Sequence, residues 1–119
     1  MNSNMALFAT TLLHSATNAH LFHWSTDSFS KHMALGTYYD EIVGLVDDLV
    51  EAYMGCYDKL TDFPSSYHQP KDALKYMESL KNFVDAARQD LPQETQLQNI
   101  IDEIAQLIDS TLYKLKNLK

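Results

Sequence analysis

Apolar residues recur at helical spacing through nearly the whole chain, and the breaks in that rhythm divide it into four segments. From Asn4 to Trp24 the recurring positions are Leu7, Thr11, Leu12, Ala16, Ala19, His20 and His23. Ser25, Thr26, Asp27 and Ser28 interrupt the pattern with residue types that favour turns and helix N-caps. A second helix is predicted from Ser30 to Leu60, with Gly36 and Gly44 inside it lowering propensity without breaking the period. Pro64 and Pro70 bracket a linker over Asp62–Gln69. Lys71 and Asp72 open a third helix whose stripe is Leu74, Met77, Leu80, Val84 and Ala87, and Leu91-Pro92 ends it. A fourth begins near Gln93, with Leu97, Ile100, Ile101, Ile104, Leu107, Ile108, Leu112 and Leu115 facing inward. No strand signal or repeat competes with this reading. A single all-α domain over 1–119, a four-helix bundle, is the architecture the pattern predicts.

The second helix carries an unusual stripe. Residues 32, 36, 40, 43, 47 and 51 advance in steps of three or four and share an arc of roughly 100°. They are His32, Gly36, Asp40, Val43, Asp47 and Glu51. So much carboxylate makes a poor core face, since a buried charge needs a partner or a metal. A solvated acidic face is the simplest account of the stripe taken alone. Histidines at the end of the first helix change that. The short connection brings His20 and His23 back beside His32, while Asp47 and Glu51 are expected to face the ligand-free region around Ala9 and Thr10.

Two half-sites result, and they cannot meet within one chain. At 1.5 Å rise per residue His32 and Asp47 stand roughly 22 Å apart on their helix, whereas ligand bonds to a transition metal are about 2 Å. An antiparallel two-fold contact between second helices would set the histidine end of one chain against the carboxylate end of its partner, giving two sites per dimer. The candidate ligands are therefore His20, His23, His32, Asp47 and Glu51. A His/carboxylate set without thiolate suits iron, with zinc or manganese as alternatives. A single-chain di-iron bundle needs a Glu-x-x-His pair on each of two helices, and no such pair is present. His14 and His68 read as structural, Trp24 as core or interface packing, and Cys56 as a small buried hydrophobe.

These residues resemble the Dps family, the miniferritins of the ferritin-like superfamily. The family's ferroxidase signature places His directly before Trp, then His, an Asp four residues on, an Asp eleven further and a Glu four after that. His23-Trp24, His32, Asp47 and Glu51 match that pattern; Gly36 stands where the first Asp is expected, with Asp40 one turn on. The connection from His23 to His32 is also shorter than usual, so His20 fits by spacing and His23 by motif. The resemblance implies a ferritin-like bundle that binds and oxidises iron at a site shared by two subunits, in a homo-oligomer extending to a dodecameric shell. The chain also looks similar to short Dps-like proteins of bacteriophages. A different class competes: a helical interaction protein that keeps the fold without ferroxidase activity.

Composition trims these expectations. Net charge is −7, and Lys31 is the first cation in the chain. Direct DNA binding is disfavoured, because phosphate affinity comes chiefly from Lys and Arg; Lys114, Lys116 and Lys119 complement a helix C-terminus instead. No apolar run approaches the roughly 20 residues of a membrane span. A lone cysteine and no secretory pattern place the expected compartment in the cytoplasm.

Overall fold

A computed structural model describes residues 2–119; Met1, the first residue of the expected domain, lies outside it. Four α-helices form: α1 (Asn2–Ser25), α2 (Phe29–Cys56), α3 (Ala73–Ala87) and α4 (Thr95–Asn117), with a single 3-10 turn at Arg88–Asp90. The segments match the sequence pattern, but α2 stops earlier than Leu60. Tyr57 leaves helical backbone at φ −124° and ψ −99°, Asp58 takes the Lys59 N–H on its own carboxylate at 2.7 Å, and Asp62 turns into the left-handed region at φ 60°. Asp side chains that satisfy nearby amides in this way compete with the helix. Leu60 continues the apolar pattern and is buried, 4% exposed, but from a position beyond the helix end. The crossover to α3 accordingly spans 57–72 rather than 62–69.

Local signals set the other ends. Ser28 caps α2, its hydroxyl accepting the Lys31 N–H at 3.3 Å, and Thr26 accepts the Ser28 N–H at 3.2 Å, so three residues suffice to reverse the chain. Asp72 caps α3 by accepting the Lys75 N–H at 3.1 Å.

α1 packs chiefly on α2, α2 on α4, and α3 on α4 with a lighter contact to α1. Asp72, Ala73 and Leu74 border the same hollow as Phe22, Thr26, Lys31 and Leu115, so α3 begins and α4 finishes beside the α1–α2 turn. At the far end Tyr57 donates to Glu94 and Gln96 to Cys56, joining the end of α2 to the start of α4. The crossover therefore returns the chain along the bundle, whose long dimension of 44 Å matches the roughly 42 Å of a 28-residue helix. Asn18, 2% exposed, pins it to α1: its amide donates to the His68 carbonyl at 3.3 Å, and Tyr67 donates its hydroxyl to the Asn18 oxygen at 2.6 Å.

The core holds Phe8, Leu12, Leu35, Ile42, Leu49, Leu97, Ile101, Ile104 and Ile108 with almost no exposure. The expected inner face of α4 is buried throughout except at Ile100, which is half-buried. One polar pair sits inside: Ser15 donates to the Leu12 carbonyl, leaving its oxygen to accept from the Tyr38 hydroxyl at 2.7 Å. Among the described residues no buried side-chain nitrogen or oxygen lacks a partner, in keeping with the cost of orphaned polar groups.

Candidate metal centre

The three-residue turn brings His23, near the end of α1, opposite His32, in the first turns of α2. Each ring donates its Nδ1–H to the other residue's backbone carbonyl, at 2.6 Å from His23 and 2.8 Å from His32. The imidazoles stack at 3.6 Å between centroids with planes 18° apart. A carbonyl oxygen only accepts, so each Nδ1 must carry the proton. In the neutral ring the lone pair then belongs to Nε2. This is the arrangement metal-binding histidines commonly use, with one nitrogen held by the protein and the other offered outward.

His20 lies one turn back on α1, 6.1 Å from His23 by ring centroids. It stacks on Tyr39 at 4.0 Å and lies 4.5 Å from Trp24. Tyr39 also meets His23 edge-on at 5.3 Å. Tyr39 was not singled out from the sequence, although its place seven residues beyond His32 puts it near the same helix face. Trp24 is 68% exposed, so of its two expected roles, core or interface packing, the first is excluded.

Asp47 and Glu51 are exposed and lie one turn apart on α2. They remain far from the histidines of their own chain. The Ser15–Tyr38 and His23–His32 pairs set the register of α1 on α2, and continuing it puts Asp47 level with about Leu7 rather than the expected Ala9 and Thr10. Neither stretch adds a ligand. Among the described residues no three His, Cys, Asp or Glu side chains gather closely enough to hold a metal within one chain. Lys81–Asp109, Arg88–Asp102 and Lys116–Glu78 form ion pairs between α4 and the α3 side of the bundle; Asp47 and Glu51 enter none of these.

Cys56 is not a buried hydrophobe; it is exposed at the end of α2, where its sulfur accepts from Gln96 at 3.3 Å. His14 packs edge-on against Tyr67 at 5.1 Å. Gly36 has a steric reason: a Cβ there would stand 3.1 Å from Cε1 and 3.2 Å from Nδ1 of His23. Large apolar side chains flanking the turn in sequence are left exposed, Phe29 at 76% and Met33 at 53% as well as Trp24.

Helix is the sole regular secondary structure among the described residues, and no helix is long and apolar enough to cross a membrane. The chain is an all-helical bundle of four helices with an imidazole cluster at one end and an acidic face along α2. Residues 23–115 match a family described as a family of unknown function (DUF5856), and the chain belongs to it. The matched stretch takes in His23, His32, Asp47 and Glu51 and leaves His20 outside. No curated protein and no solved structure matches the chain.

Proposed function

We propose that this chain is a Dps-like, ferritin-like iron-binding protein whose metal site is shared across an antiparallel dimer. The observation that carries the reading is the reciprocal His23–His32 lock, which leaves two imidazole Nε2 atoms available as ligands. Fe(II) is the substrate cation. His23 and His32, with His20 beside them, supply nitrogen from one chain; Asp47 and Glu51 of the second supply carboxylate oxygen. This donor set suits Fe(II), with Zn(II) or Mn(II) as competitors. Oxidation of bound Fe(II) by oxygen or peroxide is the chemistry the resemblance supplies.

Two further features support it. A bundle with a single long crossover is the connectivity of ferritin-like folds, and 57–72 is such a crossover. Trp24, Phe29 and Met33, which flank the α1–α2 turn in sequence, are large apolar side chains left exposed, and exposed apolar surface of this kind suits cover by a second copy. A larger, dodecameric shell would build on that dimer.

A second reading rests on Gly36. The position that the Dps pattern fills with Asp holds no carboxylate, which favours a helical interaction protein with the fold but no ferroxidase turnover. Fe(II) titration under air, followed by ferric absorbance, separates the two. Oxidation that disappears in His32→Ala and Glu51→Ala supports the site. Unchanged oxidation in those variants refutes the assignment, and a strictly monomeric mass in solution refutes the shared geometry.

A further inference from the structure

Two glycines interrupt the middle of α2, and neither is there for backbone freedom, since no glycine has positive φ. Mid-helix glycine costs stability relative to alanine, so each calls for a reason. At Gly44 there is none in the packing: an added Cβ meets nothing within 4 Å. At Gly36 the Cβ would press on Cε1 and Nδ1 of His23, the ring edge that makes the hydrogen bond to the His32 carbonyl. That ring has little room to yield. Its Nδ1 is tied at 2.6 Å, its stack on His32 is at 3.6 Å, and Tyr39 closes on it edge-on at 5.3 Å.

We infer that Gly36 is a positioning residue for His23: the bare backbone of α2 at this point is the seat that lets the imidazole reach the His32 carbonyl and present Nε2 as its lone-pair nitrogen. The geometry stands by itself; its meaning for metal uptake rests on the proposed shared site. A side chain at 36 forces the ring to shift by a few tenths of an ångström or to turn, and either change weakens the bond that selects the tautomer. A carboxylate at 36 and a locked His23 thus compete for the same volume.

The test compares Gly36→Ala with Gly44→Ala in the full metal-free chain. Two-dimensional nitrogen–proton spectra of the imidazoles at about pH 8, where an ordinary histidine is neutral, report the tautomer of each ring. Wild type and Gly44→Ala are expected to show His23 protonated at Nδ1. Gly36→Ala is expected to lose that signature at His23 while His20 is unchanged. Retention of the Nδ1–H tautomer in Gly36→Ala overturns the inference. Should Gly36→Ala fail to fold, adding His23→Ala removes the clash: recovery of folding supports the seat, and continued failure refutes it. Co(II) titration of the same samples examines the metal reading separately. A tenfold or larger loss of Co(II) affinity in Gly36→Ala is the size expected for an orienting contact. A tautomer change in a protein whose wild type takes up no Co(II) leaves the seat standing and removes the shared metal site.

Discussion

Mixing two disabled variants gives the sharpest test of a site built from two chains. One variant carries His23→Ala and His32→Ala; the other carries Asp47→Ala and Glu51→Ala. Each alone has no complete site, because both sites of its homodimer lack the same half. In a heterodimer the two sites differ. One pairs the missing histidines with the missing carboxylates, while the other pairs intact histidines with intact carboxylates. Co-refolding at equal amounts makes about half of the dimers mixed, and each of those restores one site of two, so about a quarter of wild-type sites return. The roughly 22 Å between His32 and Asp47 along α2 rules out the same recovery within one chain. Initial rates of ferric absorbance after Fe(II) addition, with native mass spectrometry counting heterodimers, would read the result. Recovery near a quarter supports the shared site. No recovery in a sample shown to contain heterodimers refutes it, and so does substantial oxidation by either variant alone.

Other consequences of the structure are open to measurement. Ser15→Ala leaves the buried Tyr38 hydroxyl without an acceptor and is expected to cost about 1–3 kcal/mol. The double variant with Tyr38→Phe should cost less than the sum of the singles in a denaturant cycle, and strict additivity would refute the coupling. Asn18→Ala removes both crossover bonds; protease nicking within 57–72 should rise while helix content is kept, and unchanged resistance would show that the crossover is held elsewhere. Tyr57 is pushed up to about 12 from the ordinary 10, first by its hydrogen bond to Glu94. Because the folded value is the higher one, this contact stabilises fully below about pH 10 and is lost as pH climbs through about 12. Tyr57→Phe should remove that alkaline contribution and one late phenolate from an ultraviolet titration; an unaltered profile would sink the assignment. Gly36→Asp, which would add a ligand by the Dps pattern that the chain resembles, should lower Co(II) uptake by displacing His23, and a rise would contradict the seat.

The helices were legible because their burial follows from spacing: the stripe from Leu97 to Leu115 faces the core almost as its period required. Termini were harder. Leu60 extends the period yet reaches the interior from irregular chain, and periodicity cannot distinguish those routes. Within the candidate site, the short turn was enough to bring His23 to His32. What spacing could not show was the exchange of Nδ1–H bonds with opposite carbonyls, since that depends on ring orientation. Gly36 looked like a lost ligand for the same reason: its role is the volume it leaves for the His23 ring on the neighbouring helix, a property of packing rather than of pattern.

The order in which the chain comes together follows from the three-residue turn. Contacts between α1 and α2 close a short loop, whereas those between α2 and α4 wait for the crossover to be laid down. Loop closure favours local pairs, and helical hairpins form faster than distant packing. The His23–His32 lock lies wholly within that first hairpin. The imidazole pair is therefore expected to assemble early in folding, before the bundle closes and before any second copy arrives.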